Sequence, residues 1–311
     1  MPSLRIIFAG AGEFGLPSLR AIVASEHQII QVYTQPDRPA GRGMKLSPTP
    51  VAHFAQSAQL PLVRSSDINA EQLPAADLLV VIAFGQKISD FVINHPRLQA
   101  INLHASILPK YRGAAPINAA IIAGESVAGN SIIRLAQKMD AGAVLGQSSL
   151  EIAPLETAGE LHDRLAEDGA GLIRRVIDEL ARGVAVEVEQ EHAQATLARK
   201  LSRNTSRLDF TLPAEQLGRQ IRGMYPWPGC RVRLMASENE LGRIVLVRAI
   251  QNAAARDASY KPGEIDETGL VCCGTGRLQI VELLPEGKRP MTLEAYKNGH
   301  SWQAGMRLES L

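Results

Sequence analysis

The sequence predicts an α/β chain, an open and mostly parallel sheet followed by a smaller all-β unit. Three observations carry that prediction. Leu4 to Ala9 is a short apolar run that passes through Gly10-Ala11-Gly12-Glu13-Phe14-Gly15 into a helical stretch, Leu16 to Ser25. That strand–turn–helix order opens a parallel sheet. The strand from Asp77 to Phe84 is apolar from its second residue onward rather than alternating, as a strand covered on both faces must be. After Leu208 the texture changes to short strands separated by glycine-rich turns, the pattern of a small barrel.

Bulk properties narrow the classes. The chain has 311 residues, which at about 150 residues per domain predicts two domains. With 45% hydrophobic residues each can bury a core. A formal charge of +1 leaves no global basic field, so a nucleic-acid partner has to be met by local patches. Of three cysteines, Cys272 and Cys273 are adjacent and Cys230 is remote, which is neither a metal-ligand spacing nor a disulfide framework. Met1 to Phe8 leads directly into a strand, and no apolar run approaches the roughly 20 residues of a membrane span. A cytoplasmic monomer without metal is expected.

The elements follow in order. Gly10 to Gly15 is a literal G-x-G-x-x-G, but Glu13 would set a carboxylate at the phosphate site. The motif is taken as a structural turn, with NAD(P) binding as an alternative. Ile29 to Thr34 is the next strand. Thr34 to Thr49 is predicted as a long irregular loop, rich in Pro and Gly and positive through Arg38, Arg42 and Lys45. Gly85 and Gln86 turn the chain after the central strand.

Ile101 and Leu103 belong to the end of a further strand, on which Asn102 and His104, two apart, share a face. Pro109, Gly113 and Pro116 break the segment that follows. A helix is predicted over Ile117 to Ala123 and a strand over Ser131 to Ala136, ending in the turn that holds Asp140 and Gly142. Thr157-x-x-Glu160 is a capping box that starts a helix with Leu161, Leu165, Leu172, Val176 and Leu180 near one face. Val184 to Gln190 is predicted as a connecting strand, and Gln194 to Arg207 as a polar, basic linker. Pro213 to Arg222 has a helical pattern, Met224 to Gly229 is taken as a packed aromatic turn, and five short strands run from Arg231 to Leu283.

The run Ile101 to Pro116 resembles the signature of the folate-dependent formyltransferases, in which Asn-x-His opens a segment ending in Leu-Pro-x-x-Arg-Gly. The matching positions are Asn102, His104, Ser106, Leu108, Pro109, Arg112 and Gly113. The continuation Gly113-Ala114-Ala115-Pro116-Ile117 is similar to the branch of that family that formylates methionyl-initiator tRNA. The resemblance covers nearly the whole chain. It implies a Rossmann-like domain over 1–190 with helices on both faces of its sheet, a basic linker over 191–207, and an OB-like β-barrel over 208–311 that binds tRNA. It implies Asn102, His104 and Asp140 as the catalytic residues, Asp140 with Gly142 fitting the family's Asp one residue before Gly.

It further implies 10-formyltetrahydrofolate as co-substrate, with a pocket from Ser106, Ile107, Leu108 and Pro109 and from Phe84, Gly85 and Gln86. The loop over 34–49 resembles the family's tRNA-gripping insertion, which nominates Arg38, Arg42 and Lys45, Arg42 foremost. The linker adds Arg199, Lys200 and Arg203, in a stretch where the family usually carries acidic residues and this chain has Asn204-Thr205-Ser206. The chemistry suits the residue types. An amide can donate to the oxyanion of formyl transfer, a donor typically worth about 3 kcal/mol of barrier. An imidazole can carry the proton an amine must lose, and a carboxylate can orient it. Transfer to a sugar nucleotide, or hydrolysis of the formyl-folate, would use the same triad. An oxidoreductase built on the glycine turn and a pure tRNA-binding module belong to other classes.

Overall fold

The computed structural model describes residues 2–40, 44–252 and 259–311. The chain divides into two compact units, one from Met1–Gly113, Ala128–Leu150 and His162–Leu197, the other from Ala114–Val127, Glu151–Leu161 and Ala198–Leu311.

The first unit is built on a seven-stranded sheet. Its strands are β1 (Arg5–Gly10), β2 (Gln28–Thr34), β3 (Leu62–Arg64), β4 (Leu78–Ile82), β5 (Gln99–His104), β6 (Ser131–Arg134) and β7 (Val144–Gln147). They lie in the order β7-β6-β5-β4-β1-β2-β3. The run from β5 to β3 is parallel, while β6 is antiparallel to both β5 and β7. The chain winds outward in both directions from β1, so the carboxyl ends of β1 and β4 flank a switch point, where open α/β sheets bind ligands.

Residue type explains the order. All of β4, Leu78 to Ile82, is buried, so it takes a central place; each such side chain contributes about 2 kcal/mol by burial. The glycine turn after β1 serves packing: a Cβ on Gly10 would stand 2.7 Å from Phe8 Cε1 and 2.9 Å from the Ile82 carbonyl oxygen.

Two segments differ from expectation. The 34–49 region is not irregular throughout, because Arg38–Ala40 and Lys45–Ser47 pair as a short antiparallel hairpin. Its base is clasped by the Thr34 and Thr49 hydroxyls, 2.7 Å apart, and by Arg64 Nε donating to Asp37 at 2.8 Å. Arg42 lies outside the described residues. The Val184–Gln190 segment forms only a single bridge, Val188 to Val144, instead of a strand. Its valines 184, 186 and 188 stay exposed and give a longer ladder no burial to reward it.

The second unit is a strongly bent antiparallel sheet of β8 (Cys230–Ala236), β9 (Asn239–Asn252), β10 (Val271–Cys272), β11 (Arg277–Pro285), β12 (Met291–Thr292) and β13 (Arg307–Ser310). Its main path is β10-β11-β9-β8-β13, with β12 on β11. Gly263 to Ile265 bridges both outer strands, Glu264 pairing with Arg307 and Ile265 with Val271, which nearly closes a barrel. The helix Ala214–Met224 fills it: Leu217 and Ile221 are fully buried in one cluster with Val232, Leu234, Leu246 and Leu278. Strand β13 escaped the sequence reading because only Leu308 is apolar between charged Arg307 and Glu309. The corner at 224–229 packs only in part: Met224 is buried and Tyr225 half-buried, but Trp227 is 58% exposed. Among the described residues no helix is long and apolar enough to cross a membrane.

Candidate active site

Strand β5 ends at His104, next to β4 on one side and β6 on the other, with Val81 opposite Asn102 and Ser131 opposite His104. Period-two geometry puts the Asn102 and His104 side chains on one face. Asn102 is half-buried, and among the described residues its amide has no hydrogen-bond partner. A strand-end amide left free in this way is available to a substrate oxygen.

His104 is 6% exposed and its two ring nitrogens are differently used. Nε2 lies 2.9 Å from the Tyr111 carbonyl oxygen, which can only accept, so Nε2 carries a hydrogen. In the neutral ring the lone pair is therefore on Nδ1. That nitrogen faces Asp140, 3.7 Å from Oδ2. The same Oδ2 accepts the Gly113 backbone N–H at 2.8 Å. His104 and Asp140, far apart in the chain, thus meet at the carboxyl end of β5, with Asn102 two residues before His104 on the same face. Tyr111 (φ 59°), Asp140 (φ 51°) and Gly113 (φ 120°) all hold positive φ. Such conformations persist where surrounding structure over-determines them, commonly at functional sites.

The loop from 105 to 113 is pinned from within. Ser131 Oγ donates to the Ser106 carbonyl at 2.7 Å and accepts from the Leu108 N–H at 3.1 Å. Gln147 Nε2 donates to the Leu108 carbonyl at 3.0 Å, and Ser106 Oγ donates to the Lys110 carbonyl at 2.7 Å. Ser106 and Leu108 are consequently buried, while Ile107 and Pro109 remain partly exposed. After β4 the chain turns through Ala83 (φ 46°) and Gly85 (φ 75°), with both residues exposed. Phe84 is buried in the core, and the Gln86 side chain is spent on Ile68 N–H at 2.8 Å and the Ser65 carbonyl at 2.7 Å. What these two segments offer a ligand is apolar surface at Ile107 and Pro109 and the exposed turn at Gly85, where Gln35 Nε2 donates to the Phe84 carbonyl at 2.7 Å. That combination fits a flat heterocycle edged with amide-like groups.

The nominated cations Arg38, Lys45, Arg199, Lys200 and Arg203 are all exposed, and none has a side-chain partner among the described residues. Arg112 is different: it is buried, and its guanidinium donates to Gln190 and His192. Sequence reasoning did not find the Tyr111 carbonyl, the Gly113 N–H, Ser131, Gln147 or Gln190. The first two are backbone groups, which no residue type announces, and the other three carry no motif. An open cavity of about 840 Å³ lined by Asp90, Arg97, Arg134 and Glu187 opens at the opposite edge of the sheet and contains none of the triad. Among the described residues no group of three or more His, Cys, Asp or Glu could hold a metal ion.

These features define the class, an α/β protein with a histidine–carboxylate pair at the carboxyl end of its sheet. A formyl transferase model matches residues 4–177 and a formyl transferase C-terminal domain model matches residues 200–301. The chain belongs to the formyl transferase family. It is 40% identical over 311 residues to the methionyl-tRNA formyltransferase of Ectopseudomonas mendocina, covering 97% of this chain and 96% of that relative. It is 39% identical over 313 residues to the methionyl-tRNA formyltransferase of Phenylobacterium zucineum, covering 98% and 100%. A solved N-formyltransferase from Helicobacter canadensis, in complex with folinic acid and dTDP-3-aminofucose, has the same fold: TM-score 0.66 at 15% identity, over 91% of this chain and 98% of the other.

Proposed function

We propose that this chain transfers the formyl group of 10-formyltetrahydrofolate to the amino group of methionyl-initiator tRNA. Relatives bearing that activity in their names match across nearly the full length of both chains, barrel included. The observation that carries the chemistry is His104 Nδ1 facing the Asp140 carboxylate at the end of the strand that also bears Asn102, whose amide has no partner among the described residues.

The formyl-folate supplies the carbon to be transferred. Asn102 donates to the formyl oxygen, which becomes negative as the amine adds to that carbon. His104 Nδ1 takes the proton the amine loses and returns it to the departing folate nitrogen, so charge and protons balance. Its Nε2 cannot do this, because its hydrogen is held by the Tyr111 carbonyl. Asp140 stabilises the imidazolium formed between the two steps. Backbone around Gly85, together with Ile107 and Pro109, receives the pterin. Arg38, Lys45, Arg199, Lys200 and Arg203 meet tRNA phosphates, with Arg42 as a further contact.

The test is direct. Purified protein is given labelled formyl-folate with initiator methionyl-tRNA, elongator methionyl-tRNA, or an amino-sugar nucleotide. Label moving to initiator tRNA in preference to the other two supports the reading. Label moving only to the sugar, or to water, contradicts it.

A further inference from the structure

Asp140 holds an uncommon backbone conformation, φ 51°, and it does so beside a second amide. Gln190, 7% exposed, donates from Nε2 to the Asp140 carbonyl at 2.9 Å and to the Gly142 carbonyl at 2.7 Å. Its Oε1 accepts from Arg112 Nε at 3.2 Å and Nη2 at 2.6 Å. A carboxamide has two hydrogens and two lone pairs, and all four are used here. The orientation is fixed by chemistry, because a guanidinium only donates and a backbone carbonyl only accepts. Arg112, 4% exposed, is in turn held by donation from Nη2 to His192 Nδ1 at 2.8 Å. Gly142 closes the turn against β6: a Cβ there would stand 1.9 Å from the Arg134 carbonyl oxygen. The turn cannot slide toward β6, and Gln190 ties it on the other side.

We infer that Gln190 is a positioning residue for formyl transfer, its amide, oriented by buried Arg112, holding the 140–142 turn so that the Asp140 carboxylate faces His104 Nδ1. This rests on the reading of Asp140 given above. It assigns the motif arginine a role that touches no substrate.

Gln190→Glu is the informative variant. It keeps the size of the side chain and gives Arg112 a carboxylate to pair with, while the two carbonyls lose their donors and face a negative oxygen. The expected result is a fall in kcat of about 10- to 100-fold, the scale of a small misplacement near reacting groups, with KM for formyl-folate and methionyl-tRNA unchanged. Arg112→Lys, which keeps the charge with fewer donors, should give a smaller loss of the same kcat-only kind and serves if the first variant does not fold. In an Asp140→Asn background, Gln190→Glu should add nothing further, because interacting sites are not additive. Full kcat in both single variants, or losses that multiply in the double variant, overturns the inference while leaving the reading of Asp140 intact. Full kcat in Asp140→Asn alone overturns that reading and the inference with it.

Discussion

His104 gives one ring nitrogen to the backbone and leaves the other facing Asp140. Donation from Nε2 to Tyr111 sets the ring plane, and the Nδ1 lone pair is left beside Asp140. The Asn102 side chain differs in having no partner among the described residues, so its replacement should disturb little besides the reaction. Asn102→Ala should lower kcat by about 100- to 1,000-fold, the cost of one oxyanion donor. Steady-state kinetics with calorimetric folate binding would check that affinity is kept. Gly142→Ala makes the opposite kind of change, forcing a methyl into the Arg134 carbonyl. It should lower both the melting temperature and kcat, read by calorimetry and initial rates. At this scale the sequence was legible where spacing does the work: Asn102 and His104 are two apart on a strand. Asp140 could be nominated only through its Asp-x-Gly motif. Gln190 was hidden because its partners are two carbonyls and an arginine from distant segments.

Elements were legible where apolar runs are long or caps are explicit. The Thr157–Glu160 box forms as expected, Thr157 N–H donating to Glu160 Oε2 at 3.0 Å. The box has an addition the pattern could not reveal: Arg248 of β9 donates to both Glu160 oxygens, at 2.6 and 2.8 Å. The Arg248 hydrogen bonds hold the Glu160 carboxyl at about 2, well below its ordinary 4.5. A depressed carboxyl stabilises the fold fully above its unfolded value and loses that contribution as the pH falls through the folded value. Half-exposure of Glu160 screens the pair, so the gain is of order 1 kcal/mol or less. The melting temperatures of wild type and Glu160→Gln should therefore differ at neutral pH and converge as pH falls from about 4.5 toward 2. A constant gap would contradict the assignment. The 38–47 hairpin and β13 were not legible, since strands of three or four residues with at most one large apolar side chain carry too little periodicity.

For the whole molecule, the change of texture after the parallel-sheet pattern foretold a sheet with a barrel-like C-terminal sheet. Each exposed, unpaired cation that meets a tRNA phosphate adds roughly 0.7 to 0.9 to the slope of log affinity against log salt. Arg203→Ala should flatten that slope by about this amount and leave folate affinity untouched, which filter binding across a salt series would show. An unchanged slope would remove Arg203 from the interface.

If Asn102, His104 and Asp140 act together on one formyl carbon, removing the imidazole must slow the chemical step itself. Single-turnover formylation of initiator methionyl-tRNA by His104→Ala, with saturating enzyme and formyl-folate, tests it most directly. The first-order rate should fall by about 100- to 10,000-fold, the range for losing a general base, with tRNA and folate still bound. A wild-type rate with both substrates bound would contradict it.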